Sequence, residues 1–240
     1  YMLETSITNN NGSHIGQRLT FFQLLKEKNY TIEIPIIQRD YAQGRESLKD
    51  IRDSFLITLY ESLDKSKNID LDFVYGSLSD NNNKFIPLDG QQRLTTLFLL
   101  HWYLANKEEK VEKFREFIKH DDNIKFTYET RTSSHEFCDA LINNSIPINN
   151  LLSPDENDDN SLSKTIKDSH WYFLSWGNDP TIKSMLVMLD AIHLKFFNSN
   201  NFFDKLINQD DPIITFQFLN LTDFNLSDDL YIKMNARGKL

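Results

Sequence analysis

Apolar residues recur along the chain in two patterns, one with the spacing of a helix and one typical of short strands. Within residues 46–66 every third or fourth position is apolar, which predicts an amphipathic helix with its charged residues on the opposite face. Residues 30–37, 71–79 and 84–88 are short runs rich in β-branched and apolar residues, and they predict strands. The Asp80–Asn83 turn joins the last two, so we predict a β-hairpin there.

The rest of the chain is mostly helical in pattern. Asp179 and Pro180 form a strong helix start, because Asp caps a helix and Pro suits its first turn. Gly177 is predicted to end the helix before it. Strands concentrate in the first 90 residues, so the predicted class is α+β. The further predicted helices span 16–28, 91–105, 108–119, 133–141, 163–175, 180–196, 202–208 and 228–234, and the further predicted strands span 124–128 and 213–219.

One segment is a candidate boundary within the chain. Residues 143–160 are rich in Asn, Pro and Asp, which is typical of a linker or loop. We therefore expect a core over residues 14–142 and a mostly helical part over 161–240 that returns one strand to it. The sequence stops in the polar cluster 235–240 with no closing element, as at a domain boundary that has been cut.

Composition excludes several kinds of site. The 240 residues carry a net charge of -9, which argues against a broad electrostatic grip on nucleic acid. One cysteine, Cys138, excludes an internal disulfide and a cysteine-based zinc site. No apolar run reaches the ~18 residues that span a membrane, and no signal peptide is visible. We therefore expect a cytoplasmic protein that has no membrane partner.

Several other residues have a plain structural interpretation. The six histidines show no metal-ligand spacing, and His101 within an apolar helix is expected to be a core histidine. The aromatic residues of 171–176 are expected to be core, and the acidic run 155–159 a solvated loop.

The most informative stretch is a polar turn between a strand and an apolar helix. The run Asp89–Thr96 follows the apolar residues 85–88 and opens a helix that should be buried. Gly90 allows a sharp turn or a close approach to a ligand. A helix N-terminus favours an anion, and Arg93 adds a full positive charge there. The structural alternative is a helix capped by Asp89 with Arg93 in a surface salt bridge.

Two further polar clusters share this character. Gln38–Arg45 follows the predicted strand 30–37, and Asn235–Gly238 follows the predicted helix 228–234. Each cluster taken alone is also compatible with an ordinary polar turn. Neither the G-x-x-x-x-G-K-[ST] loop nor the G-x-G-x-x-G motif occurs, so the commonest nucleotide-binding signatures are missing.

Taken in order, three segments make the sequence resemble a known family. Ile34–Tyr41, Leu88–Leu97 and Met234–Lys239 resemble the DGQQR family, which forms the N-terminal domain of GmrSD-type modification-dependent restriction endonucleases and related phage-defence proteins. The resemblance covers Gly16 to Leu240. The middle motif is specific, whereas the flanking two would be weak alone.

The resemblance implies a fold, an activity and partners. It implies a ParB/sulfiredoxin-like small mixed sheet with helical insertions. It also implies binding and hydrolysis of a nucleoside triphosphate with Mg²⁺ or another divalent cation. Turnover would regulate DNA cleavage by a separate HNH-type nuclease, either C-terminal or in a partner, and an oligomer is possible. No nuclease signature is present in this chain, so its link to DNA would be indirect.

The resemblance also assigns roles to individual residues. Asp89, Gln91, Gln92 and Arg93 are the expected catalytic centre, with Asp89 as the metal ligand. The expected nucleotide-binding residues are Gln38, Arg39, Tyr41, Gly90, Thr95, Asn235, Arg237 and Gly238.

The alternative function is that of a non-enzymatic module with a ParB-like fold that binds DNA or a partner protein.

Overall fold

Eight α-helices accompany a six-stranded mixed sheet in the described part of this protein. A computed structural model describes residues 16–35, 41–79, 83–121, 123–129, 132–154 and 161–224. Both kinds of element contribute to one fold, which confirms the predicted α+β class. The likeness to ParB and sulfiredoxin stays a prediction, and the predicted helix 228–234 and acidic loop 155–159 lie outside the described residues.

The described residues contain eight β-strands and eight α-helices. The strands are β1 (Gln17–Leu19), β2 (Thr31–Ile34), β3 (Ile69–Leu78), β4 (Lys84–Asp89), β5 (Lys119–His120), β6 (Asn123–Ile124), β7 (Phe126–Tyr128) and β8 (Ile214–Asn220). The helices are α1 (Phe21–Lys26), α2 (Lys49–Lys65), α3 (Gln91–Lys107), α4 (Val111–Ile118), α5 (Thr132–Asn143), α6 (Leu162–Lys167), α7 (Pro180–Phe196) and α8 (Phe202–Leu206).

The large sheet combines parallel and antiparallel pairs in the order β1-β8-β3-β4-β2-β7. The predicted hairpin is confirmed, because β3 and β4 pair antiparallel. β8 lies between β1 and β3, antiparallel to the first and parallel to the second. β2 is parallel to both of its neighbours, β4 and β7. A strand from the end of the described chain is therefore an inner strand of the sheet, whereas β5 and β6 form a separate small hairpin.

Helix α3 lies at the centre of the packed helices. Every residue from Leu94 to Lys107 is buried, as expected for a helix that is apolar on all sides. α4, α7 and α8 pack against it, and α2 packs against α7. The Asp179 carboxylate caps α7 as predicted, accepting hydrogen bonds from the amides of Thr181 and Ile182.

Two predicted helix boundaries are wrong. Residues 17–19 do not begin a helix, because they pair with β8, and Thr20 caps α1 through a reciprocal capping box with Gln23. The helix predicted over 163–175 ends at Lys167, and residues 174–178 form a separate 3₁₀ turn. Gly177 therefore lies inside that turn and ends no α-helix.

The aromatic run 171–176 is only partly core. Trp176 is buried against Phe137, and its indole N–H donates to Glu136. Phe173 instead is 61% exposed, so its assignment to the core was wrong. A turn presents successive side chains in different directions, and one apolar face cannot be buried as it is in a helix.

None of the helices seen in the described ranges is both long and apolar enough to cross a bilayer.

The buried histidine His101 predicts a pH-dependent stability. Burial lowers the pKa of His101 from 6.5 to about 4, only partly opposed by a hydrogen bond to the Leu97 carbonyl. The unfolded chain therefore takes up the proton first. We expect the contribution of His101 to the free energy of unfolding to be complete above pH 6.5 and to fall by about 3 kcal/mol as the pH drops to 4. Burial also lowers the pKa of His193 to about 4, so this histidine adds a similar loss over the same range.

Urea denaturation at pH 7, 5 and 4 measures this loss. His101→Phe should remove about half of the loss between pH 7 and 4, and replacement of the exposed His120 by Gln should not change it. A profile that His101→Phe leaves unchanged would assign the pH dependence to other groups.

Candidate functional site

The turn between β4 and α3 is possible only because residue 90 is glycine. Gly90 has φ +86°, and a Cβ there would lie 2.7 Å from Cγ2 of Val74 on the neighbouring strand β3. It also occupies the N-cap position of α3, where no side chain caps the helix. Asp89 therefore does not cap α3, which removes half of the structural alternative. Gly90 has no side chain of its own with which to cap the first backbone amides of the helix.

The charged residues of the motif face each other loosely beside that helix start. Arg93 Nη2 lies 3.5 Å from Asp89 Oδ2, and Arg93 Nη1 donates to the carbonyl of Leu71. The Asp89 side chain is 54% exposed and that of Arg93 is 23% exposed. The surface salt bridge of the structural alternative is thus present, although its geometry is long for a charge-assisted hydrogen bond.

Tyr75 is a neighbour of this pair that the sequence did not reveal. It stands opposite Asp89 in the hairpin, because the register shifts between Tyr75 and Gly76. Burial raises the pKa of the Tyr75 phenol, the charge of Asp89 raises it further and that of Arg93 opposes this. Both charges therefore act on the phenol. An unshifted hairpin would have placed Leu88 in that position, so no sequence signal could have found this contact.

The side chains of Gln91 and Gln92 form hydrogen bonds that connect the turn to neighbouring backbone. Gln91 is buried, and its Nε2 donates to the carbonyl of Pro87 at 2.8 Å, across the turn. Gln92 Oε1 accepts a hydrogen bond from the backbone amide of Ala42 at 2.8 Å. The first turn of α3 is thereby bonded to strand β4 and to the segment that follows Gln38 and Arg39.

Tyr41 lies beside the motif helix, whereas its predicted contact with a nucleotide stays a prediction. Its hydroxyl lies 2.9 Å from Thr96 Oγ1 in the buried interior, and Thr96 also donates to Gln43 Oε1. Burial raises the pKa of the Tyr41 phenol far above its ordinary value, partly opposed by the Thr96 hydrogen bond. Tyr41 is therefore a neutral hydrogen-bonding group.

Thr95 occupies a different environment from the exposed charges. It is buried, and its Oγ1 lies 3.0 Å from the hydroxyl of Tyr128 on β7. This places Thr95 between α3 and the sheet, away from the turn's open side.

Of the three segments predicted to converge, the structure shows the Asp89–Arg93 turn and part of the Gln38–Tyr41 cluster close together. Residues 41–43 contact the first two turns of α3. Gln38 and Arg39 precede them directly but lie outside the described residues, as does the third cluster with Asn235, Arg237 and Gly238. Their place at the site stays a prediction.

Arg52 adds a positive charge that the sequence pattern had assigned to the exposed face of α2. It is only 5% exposed, and its Nη1 lies 3.4 Å from the carbonyl oxygen of Gly44. Its charge also lowers the pKa of Tyr41, against the larger effect of burial. The apolar periodicity of α2 gave no signal for this, because a buried arginine disrupts the pattern rather than continuing it.

A hard divalent cation at this turn would have the Asp89 carboxylate as its protein ligand, with water and phosphate oxygens completing its shell. Across the described ranges, no three His, Cys, Asp or Glu side chains come together as a metal site. Asp89 is an exposed carboxylate with one loose ion-pair partner. Mg²⁺ often binds through one or two carboxylates and completes its shell with water and phosphate oxygens. The single carboxylate fits that habit and would not fit a site built wholly from protein ligands.

We expect Gly90→Ala to destabilise the protein by about 1–3 kcal/mol, because Ala would hold a positive φ and meet Val74. Chemical denaturation measures the loss. Gly177→Ala is the matched control, since its Cβ would meet nothing closer than the Tyr172 hydroxyl at 3.9 Å. Equal stabilities for the two variants would show that the turn does not need glycine.

The geometry agrees with a comparison against known families. The family model described as the GmrSD restriction endonuclease, N-terminal domain, matches residues 21–240. A search of curated proteins finds no match to the chain. The family match spans the whole sheet from β2 onward together with the Asp89–Arg93 turn and both flanking clusters. The chain therefore belongs to the family of GmrSD restriction endonuclease N-terminal domains.

Proposed function

We propose that this domain binds a nucleoside triphosphate at the start of α3 and hydrolyses it. Turnover would regulate an HNH-type nuclease, C-terminal or in a partner chain, within a cytoplasmic, modification-dependent phage-defence system. The observation that carries the proposal is the start of the buried helix α3 at Gly90, with the charges of Asp89 and Arg93 in a loose pair beside it.

The helix start favours a phosphate group for two physical reasons. The first backbone amides of a helix have no intrahelical partner, and the helix dipole places partial positive charge there. α3 has 17 residues, and its N-cap residue, Gly90, has no side chain that could occupy the position of an anion. An anion at this point would accept hydrogen bonds from backbone amides at the start of the helix.

Arg93 is placed to neutralise the phosphate charge. Its 3.5 Å contact with Asp89 is weak enough to be exchanged for a bidentate contact with phosphate. The bond to the Leu71 carbonyl would keep the guanidinium oriented meanwhile. In the same proposal, Arg39 and Arg237 add positive charge, and Gln38, Asn235 and Gly238 contribute hydrogen bonds.

Asp89 would hold the divalent cation, directly or through water, or orient the attacking water. The cation, when bound, would neutralise charge on the phosphate oxygens. The release of Arg93 towards phosphate would free the Asp89 carboxylate for this role. The Gln92 side chain already holds the Ala42 amide, so its contribution is to fix the distance between α3 and the segment carrying Gln38 and Arg39.

The non-enzymatic alternative also draws on one observation. The side chains of Gln91, Gln92 and Arg93 all bond within the chain, as they would if the motif only stabilised the fold. A module that binds DNA or a partner protein would then use another surface. Calorimetric titration with ATP and GTP in the presence of Mg²⁺ separates the two, because the alternative predicts no heat of binding with either.

Arg93→Ala should weaken triphosphate binding by more than tenfold, because a charge-assisted contact contributes about 1.5–3 kcal/mol. Isothermal titration calorimetry with Mg²⁺ and the nucleotide that wild type binds measures the change.

Arg18→Ala is the control for that titration. Arg18 also lies near a carboxylate, with Nε 3.7 Å from Asp70 Oδ2, but on the sheet edge strand β1. It should bind like wild type. Equal affinity of Arg93→Ala and wild type would remove Arg93 from the site.

Asp89→Asn should reduce Mg²⁺-dependent phosphate release by about a hundredfold or more, because the amide carries no charge for the cation. The substitution keeps the shape of the turn, so thermal stability should change little. Phosphate release at the wild-type rate would show that Asp89 neither binds the cation nor orients water.

A further inference from the structure

Four consecutive residues, Tyr41 to Gly44, are each bonded to a buried element. We call them the Tyr41–Gly44 loop. Its first three residues bond to α3, through the Tyr41 hydroxyl, the Ala42 amide and the Gln43 side chain. Its last residue, Gly44, contacts α2 and α7 instead. Because each of its residues contacts a helix, the loop is held in a single backbone conformation. Its own sequence would not fix that conformation, since surface loops are commonly mobile.

Gly44 places the loop directly on the backbone of α7. A Cβ at this position would lie 2.0 Å from the carbonyl oxygen of Ser184 and 2.5 Å from its Cα. Both atoms belong to backbone inside a packed helix, so neither can give way. The close approach therefore requires glycine, and it fixes the distance between the loop and α7.

Arg52 interacts with both ends of the Tyr41–Gly44 loop. Its Nη1 is 3.4 Å from the Gly44 carbonyl oxygen, and its charge acts on the Tyr41 phenol at the other end. Its Nε lies 3.2 Å from Asp53, whose side chain is 44% exposed. Burying a guanidinium costs free energy unless its hydrogen bonds are made. The hydrogen bond from Arg52 to the Gly44 carbonyl therefore stabilises both the buried guanidinium and the position of the loop.

We propose that Arg52 is a positioning residue for the proposed nucleotide site, which it serves by fixing the Tyr41–Gly44 loop without touching the nucleotide. The inference rests on the proposed function. Gln38 and Arg39 lie three and two residues before Tyr41 in the sequence, so a displacement of the loop would also displace them. Arg52 holds the Tyr41–Gly44 loop itself against the start of α3.

Hydrogen exchange of the Ala42 amide tests the positioning directly. This amide donates to Gln92 and is protected only while the loop stays on α3. In the full chain, Arg52→Met should speed its exchange by about tenfold, and exchange within α3 should stay as in wild type. Arg52→Lys, which can still donate to the Gly44 carbonyl, should restore much of the protection.

The same variants should change nucleotide affinity more than turnover. With Mg²⁺ and the nucleotide that wild type binds, Arg52→Met should raise KM several-fold and leave kcat within about twofold, with Arg52→Lys in between. Gly44→Ala, which pushes the loop off α7, should match Arg52→Met in both measurements.

Arg115→Met is the matched control, because Arg115 also donates to backbone carbonyls, those of Ile142 and Asn143, but far along the chain from the loop. It should leave Ala42 exchange and KM unchanged. Wild-type Ala42 protection in Arg52→Met, or an unchanged KM, would overturn the positioning role while nucleotide binding stands. A wild-type protein that binds no nucleotide would instead overturn the proposed function and, with it, this role.

Discussion

The burial of α3 is the constraint on which the rest of the structure depends. A helix that is apolar on all sides must be covered all round, and here the sheet, α4, α7 and α8 cover it. The polar start of such a helix cannot move without moving the core. The Gly90 turn, pressed against Val74, therefore sits in one fixed position at the edge of the sheet. The proposed anion site therefore lies at a helix start whose position the core fixes.

The family motif has two kinds of residue with two kinds of task. Gly90, Gln91 and Gln92 shape the turn and bond it to its neighbours, whereas Asp89 and Arg93 remain partly exposed in a loose pair. The same short stretch thus secures its own geometry and presents charge to solvent. This division explains how the motif can look structural in its hydrogen bonds and still offer a site, since the bonded groups hold the exposed ones in place.

Much of the fold followed from periodicity, but the site's surroundings did not. The hairpin, α2, α3 and the Asp179 start of α7 were predictable, because each depends on local spacing or a local cap. β1 was missed since only pairing with the distant β8 makes it a strand. The nearness of Tyr41 to the motif followed from a resemblance, and Tyr75 and Arg52 became visible only through a register shift and a buried contact.

By itself the sequence determined the class of fold, the strand–turn–helix around Asp89–Arg93 and the family to which the chain belongs. These depend on residues close together in the chain, whose spacing and backbone preferences act locally. The tertiary structure alone decided that the side chains of Gln91 and Gln92 bond to neighbouring backbone and that the buried Arg52 contacts the Tyr41–Gly44 loop. Those outcomes depend on which partners distant segments supply, and a hydrogen bond between distant residues leaves no periodic trace in the sequence.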